Sequence, residues 1–401
     1  MFTVIQKISI TQVSTSQYPN RDKIFVFDFV NTIEISSTWS HLTDTMRIVL
    51  PRKIYFLDES TNTKLTWDDV QVYGNPEKAP ILLRGDKIDV EFGYSYYKNK
   101  SVTDFDRSNI IDNSVSRFSG YITKINNRMP IELECEDNMY ALKQTLVPNK
   151  EWNTSSTYTM EMMLKDMMSG SSFNDVANFT IKTDNYKHNI SKFITYNVTM
   201  AQVLDQLRRY YHLESFFRGN ELHCGVIRYY PEERQNHIFN FQKNIISDNM
   251  VYMRDDDIRI GIVAKSINKI ELVETNSAGK KKTRHKELKV TVGDKDGELR
   301  TLFFTDIDSE AELKKQAEAK LPFLKYEGFR GSFTTFALPA VKHGDTVQLV
   351  DEIVTERNGT YLVKEVKPIC GVGGGRQIIT LDIRVDGLSH DQLLKFQENG
   401  L

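Results

Sequence analysis

Arg84-Gly85-Asp86-Lys87-Ile88-Asp89-Val90 reads as a glycine–aspartate turn that opens directly into an alternating strand. Glycine suits a positive-φ turn position, and aspartate can bond its own turn backbone. Gly120-Tyr121-Ile122-Thr123-Lys124-Ile125 and Ile131-Glu132-Leu133-Glu134 follow, a glycine–tyrosine entry into a second strand and then a third alternating strand. The last third repeats the series. It runs His343-Gly344-Asp345-Thr346-Val347-Gln348-Leu349, then Gly359-Thr360-Tyr361-Leu362-Val363-Lys364-Glu365-Val366, then Ile378-Ile379-Thr380-Leu381. Three elements in one order predict two copies of a single β-barrel unit. Chance likeness between generic hairpins is the competing reading.

Outward from the first copy, residues 1–147 carry short strand signals. Ile24–Val30 is continuous enough for a strand buried on both faces, and Thr45–Leu50 alternates up to Pro51. Asn126-Asn127-Arg128-Met129-Pro130 reads as a hairpin connection. Residues 148–250 change character and predict an α+β domain or insertion. Thr159 is an N-cap, and Met160, Met163, Leu164, Met167 and Met168 form a helical stripe that Gly170 ends. That stripe is a core face or an adaptable binding face. Thr199 with Gln202 makes a capping box, ahead of Val203, Leu204, Leu207 and Tyr211. A hairpin over Arg218-Gly219-Asn220 closes the region, or returns to the first barrel.

Residues 251–387 predict the second barrel with an inserted helix. Strands Ile258–Leu272 and Glu287–Val292 flank a basic loop, Lys280–Lys286, and a Ser309/Glu312 box opens a helix ending near Pro322. Residues 388–401 predict a helical tail, capped by Ser389 and Gln392. Its Leu393, Leu394 and Phe396 need a partner surface, either the second barrel or a neighbouring subunit or spike.

Composition bounds the function. The 401 residues are 40% hydrophobic, 26% charged and 11% aromatic, enough for two or three folded domains rich in strand. A net charge of −2 argues against a protein that grips nucleic acid, though not against a channel that DNA passes through. Cys135, Cys224 and Cys370 are too far apart for a local disulfide framework or metal site and read as buried thiols of a protein folded in a cytoplasm. The first residues alternate like a strand, not a signal peptide, and no apolar run reaches membrane-spanning length, so no stable membrane insertion is expected.

Chemistry-bearing patterns are weak. The eight histidines form no HExxH pair, and no GxSxG elbow occurs. Asp255-Asp256-Asp257 reads as a turn before a hard-cation site. Glu132, Glu134 and Glu136 share one strand face, an exposed polar face or interface before a glycosidase pair. Gly371–Gly375 reads as a flexible hairpin tip, and Arg84-Gly85-Asp86 as a strand-entry turn before an integrin tripeptide. The basic loop reads as a solvated tip, a contact for an acidic neighbour, or a brief nucleic-acid contact. No catalytic, cofactor or metal residue is assigned, and no enzyme is expected.

The run Leu82–Tyr94, with Phe118-Ser119-Gly120-Tyr121-Ile122 and Glu134-Cys135-Glu136-Asp137, resembles the first barrel of phage tail hub proteins. These include the baseplate hub of Mu-like phages, the late control D proteins and the hub module of type VI secretion spikes. The segments at His343 and Gly359 are similar to their second barrel. The resemblance implies a mainly β fold with an α+β insertion and two pseudo-duplicated tail-tube-like β-barrels. It implies a homotrimer, a pseudo-sixfold ring adapting a hexameric tail tube to a trimeric spike, with other baseplate components around it. The spike is expected as a separate protein, and DNA passes without specific binding. The implied location is the virion tail baseplate, assembled in the bacterial cytoplasm. The alternatives are a hub of a type VI or extracellular injection machine, and a carbohydrate-binding or carbohydrate-processing β-protein whose Trp39, Trp67 and Trp152 stack on sugars.

Overall fold

The computed structural model describes residues 2–66, 80–97, 110–126, 129–155, 157–171, 173–183, 190, 193–211, 213–225, 235–254, 257–275, 281–304, 307 and 309–386. The first third forms β1 (Phe2–Thr11), β2 (Ile24–Phe27), β3 (Thr32–Thr38), β4 (Thr45–Val49), β5 (Phe56–Asp58), β6 (Thr63–Leu65), β7 (Lys87–Tyr97), β8 (Ile110–Asn126) and β9 (Glu132–Glu136), then α1 (Met139–Gln144). Successive strand residues point to opposite faces. Ile33 of β3, Ile48 of β4, Ile88, Val90 and Phe92 of β7 and Leu133 of β9 are therefore all 0% exposed, in one core. Each such burial stabilises by about 1.5–3 kcal/mol. β8 and β9 pair antiparallel across the 126–130 interruption, as the sequence predicts.

The middle region holds β10 (Glu151–Trp152), α2 (Met160–Met168), β11 (Thr180–Thr183), β12 (Phe193–Ile194), α3 (Met200–Tyr211), β13 (Glu214–Arg218) and β14 (Glu221–Gly225). Thr159 Oγ1 accepts from the Met162 N–H at 3.3 Å, capping α2. The methionine stripe is buried, so it is core. The α3 box is reciprocal: the Thr199 N–H donates to Gln202 Oε1 at 2.9 Å, and the Gln202 N–H to Thr199 Oγ1 at 3.4 Å. The β13–β14 hairpin turns at Gly219 and joins β11 in a separate three-stranded sheet, not the strands of the first third. The methionine stripe, Tyr121 of β8 and Tyr140 of α1 share a single core, which seats this region on the first strands.

The remainder forms β15 (Asn236–Asn240), β16 (Ile245–Met253), β17 (Ile260–Thr275), β18 (Lys281–Gly293), β19 (Glu298–Phe304), α4 (Glu310–Leu324), β20 (Gly328–Phe336), β21 (Thr346–Val350), β22 (Gly359–Gly371) and β23 (Arg376–Arg384). β18-β17-β19 is a sheet of its own, sharing a core with α4 through Ile262, Leu302, Leu313 and Ala317. Lys281–Lys286 belong to β18 rather than to a loop, Lys281 opposite Thr275 and Lys282 opposite Glu274. A ladder needs only backbone groups, so a charged run can extend a hairpin. The expected Ser309 box is not made either: Ser309 gives α4 no side-chain cap, and the Leu313 N–H bonds to its carbonyl at 3.0 Å. Pro322 lies inside the last turn, and the helix runs on to Leu324.

The fold is mainly β, with few helices. Its main sheet has fifteen strands, in the order β16-β20-β23-β22-β3-β4-β9-β8-β7-β1-β2-β5-β6, with β21 also on β22 and β15 on β21. Two closed barrels were expected, yet none closes among the described residues. The reason lies at β22, whose first half pairs β21 while its second half runs on to pair β3. Each half of the chain thus covers an edge of the other, where a barrel would return to its own edge. Within this sheet, β3-β4-β9-β8-β7-β1 and β16-β20-β23-β22-β21-β15 take their strands in the same chain order. The paired directions agree until the last step, since β1 runs antiparallel to β7 and β15 parallel to β21.

Candidate assembly surface

The two glycine–aspartate turns are bonded alike. Gly85 and Gly344 have φ of +93° and +83°, a region open to glycine. The Gly85 N–H donates to Ile122 O at 2.8 Å and the Ile122 N–H to Asp86 O at 2.9 Å. In the last third the Gly344 N–H donates to Val363 O at 2.8 Å, and the Val363 N–H to Asp345 O at 2.9 Å. Asp86 accepts the N–H groups of Val13 and Leu83, as Asp345 accepts those of Gln235 and Lys342. The remaining partner differs. Asp86 takes a bidentate pair from the buried Arg21, at 2.7 and 2.6 Å, where Asp345 meets His237 Nε2 at 3.1 Å. Buried in this way, Asp86 cannot serve as an integrin tripeptide. A bulge follows in each hairpin, between Ile122 and Lys124 and between Val363 and Glu365. The register matches Gly120 with Tyr361, since these face Ile88 and Val347. The Gly120/Gly359 alignment of the sequence is therefore two residues out.

The seam between the halves is specific. Thr38 Oγ1 donates to Lys364 O at 3.0 Å and Ser36 Oγ to Glu365 Oε1 at 3.3 Å. Tyr94 Oη donates to Gly375 O at 2.6 Å and accepts the Ala337 N–H at 3.1 Å, while Arg117 donates to Ala337 O. Ala337 and Cys370, from the last third, are buried in the first core. Burial lowers the Arg117 guanidinium to about 10 and raises the Tyr94 hydroxyl. Gly371–Gly375 is a hairpin tip as read, but a docked one. The Val372 N–H bonds Asn31 O at 3.0 Å, and a Cβ on Gly371 would stand 2.2 Å from that carbonyl.

One face of the seam is charged. Leu133 and Cys135 point inward, which leaves Glu132, Glu134 and Glu136 outward, as alternation predicts. Arg47 lies between Glu34 and Glu132, Lys124 meets Glu134 at 2.7 Å, Lys143 meets Glu136 at 2.7 Å and Lys367 meets Glu365 at 3.0 Å. Arg47 holds Glu132 below its ordinary range, the reverse of the raised acid that glycoside hydrolysis needs. Glu34, Arg47, Glu134 and Lys367 line an open depression of 390 Å³ across the seam. Just before β4, Asp44 accepts from Ser37 Oγ at 2.5 Å and from the Thr38 N–H. Desolvation pushes Asp44 up to about 7 and its neighbour Asp137 well above the carboxylate range.

Among the described residues no three His, Cys, Asp or Glu stand together as a metal site. Asp255 and Asp256, Trp67, Lys280 and the tail from Ser389 lie outside those residues. Trp152 is buried and donates to Thr195 Oγ1 at 2.8 Å, and Trp39 is buried too, so neither is a sugar platform. Cys135, Cys224 and Cys370 are buried free thiols, as read. No helix among the described residues is long and apolar enough to cross a membrane. Sequence reasoning missed the seam residues Tyr94, Arg117 and Ala337, and the pillar Arg21. An isolated tyrosine or arginine carries no local signal of a partner more than two hundred residues away, as Tyr94 is from Gly375.

The fold is similar to that of two solved tail proteins, in keeping with the sequence resemblance. The chain is similar to the tail protein from Neisseria meningitidis MC58, with a TM-score of 0.54 and 13% identity over 96% of this chain and 97% of that one. It is similar also to the 43 kDa tail protein of prophage MuSo2 from Shewanella oneidensis, with a TM-score of 0.52 and 9% identity over 94% and 97%. At such identities the likeness is one of fold. No protein-family profile and no curated protein sequence matches the chain.

Proposed function

We propose that the chain is the structural baseplate hub of a contractile phage tail. Three copies form a ring that joins the hexameric tail tube to a trimeric spike and lines the channel through which DNA passes unbound. On this reading the two strand sets are copies of one tube-like unit, so three chains present six quasi-equivalent units. The observation that carries it is the shared strand order, with the same hydrogen bonds at both glycine–aspartate turns. The division into residues 1–147, 148–250, 251–387 and 388–401 goes with it, amended by β15 and β16, which belong with the second set. The near-balanced charges on the seam face suit a wall that neither grips nor strongly repels a polyanion. The hub needs no catalysis, and it resides in the virion tail after assembly in the bacterial cytoplasm. A type VI or extracellular injection hub would use the same architecture. The carbohydrate reading loses two of its three stacking residues, since Trp39 and Trp152 are buried.

Light scattering at micromolar concentration, with negative-stain micrographs, tests the proposal. Three chains in a ring are expected, alone or after addition of tube or spike protein. A strict monomer under all these conditions overturns it.

A further inference from the structure

Among the described residues, the seam within the chain leaves two halves of the same seam unused. β3, the second strand of the first set, is covered by the far end of β22, the fifth strand of the second set. Its counterpart in the second set is β16, which pairs only β20 among the described residues. The counterpart of β22 is β8. Beyond Tyr121, β8 has outrun β7, and among the described residues β9 is the strand it pairs.

We propose that β16 of one copy pairs with the outer end of β8, Lys124–Asn126, of the next copy, repeating between chains the β3–β22 seam. This rests on the ring reading and names its interface. The register follows from bonds already described. Ile122 corresponds to Val363, and the shared bulge then sets Lys124 with Glu365 and Ile125 with Val366. Leu133 and Ile379 correspond in turn, hence Ile48 and Phe333, hence Ile33 and Asp248. Counting along β16, Ser37 corresponds to Tyr252 and Thr38 to Met253. In the chain, Glu365 faces Thr38 and Val366 faces Ser37. Between chains, Lys124 faces Met253 and Ile125 faces Tyr252.

The surfaces fit. An open edge strand is a template for another strand, and soluble proteins guard such edges with charges, prolines or short length. β16 is nine residues long, has no proline and carries Asp248 as its one charged residue. Ile246 and Val251 on it are 40% and 61% exposed. At the β8–β9 hairpin, Met129 is 57% exposed. Edge and end are different surfaces, so the contact is head-to-tail and closes only as a ring.

Cysteine pairs in the full-length chain test this. With Lys124→Cys and Met253→Cys together, mild oxidation should link chains up to a closed trimer on non-reducing gels. Each single variant should stay unlinked alone, and an equal mixture of the two should give dimers. The native thiols are buried and do not compete. As a readout without substitution, amide exchange along 245–253 in the wild-type oligomer should be slow despite the strand's open edge. A trimer that neither links nor protects this strand overturns the seam and leaves the hub reading standing. Linking by a single variant overturns it in favour of a two-fold contact. A chain that never oligomerises removes both.

Discussion

Titrations of opposite sign sit in the structure, His343 on one side and the neighbouring carboxyls Asp44 and Asp137 on the other. His343 is buried, edge-on to the Phe216 ring at 4.9 Å, and desolvation lowers it from 6.5 to about 3. Between those values the unfolded chain holds a proton that the folded chain refuses, so stability falls as pH falls, by up to about 1.4 kcal/mol per pH unit. Asp44 is raised from 3.8 to about 7, so over that window the folded chain holds the extra proton and stability falls as pH rises. Asp137 beside it is raised too and adds a second slope of the same sign, which the His343 slope only partly offsets. Urea midpoints should therefore fall from pH 4.5 to 7.5 in the wild type. His343→Phe should gain relative stability towards acid, and Asp44→Asn towards pH 7.5. Parallel profiles in all three proteins would remove both assignments. The sequence marked the His343 turn as structural, but nothing local showed that Phe216 lies against it.

Helices and strands were legible where the local code was complete. The Thr159 cap and the α3 box are each settled within four residues and the α2 stripe within nine, and the structure reproduces them. The Ser309 box has the same letters, yet no side-chain cap forms. A capping pattern permits a bond, and the path of the chain before the helix decides whether it is made. The expected costs differ accordingly. Thr159→Ala should lower stability by about 1 kcal/mol, and Ser309→Ala by no more than a few tenths. Met163→Ala, at 0% exposure, should cost about 2–5 kcal/mol by opening a cavity. Equilibrium urea unfolding measures all three, and an equal loss for the two cap variants would contradict the distinction. Strand pairing was legible within hairpins, through alternation and turns. Pairing between β3 and β22, separated by more than three hundred residues, has no sequence counterpart, because an edge strand looks the same whichever strand covers it.

The whole molecule is held together where its two strand sets share a sheet and a core. Cys370 and Ala337 are buried among side chains of the first set, and Gly371 lets the β22 backbone pass against Asn31. Gly371 has φ +152° and no room for a Cβ, so a side chain there must push β22 off β3. Shared core and shared ladder couple the sets, which should melt together although each has a core of its own. Calorimetry of the wild type should show the sheet unfolding in one main transition. Gly371→Val should split it in two, with far-UV circular dichroism near that of the wild type at 25 °C, because each set keeps its own hairpins. Two well-separated transitions in the wild type would mean that the seam joins the sets without coupling them. A single transition retained in Gly371→Val would mean that the coupling runs elsewhere. The remaining candidate is then the middle region, which Arg208 ties to Ser40 O at 2.6 Å and Arg218 to His343 O at 2.8 Å.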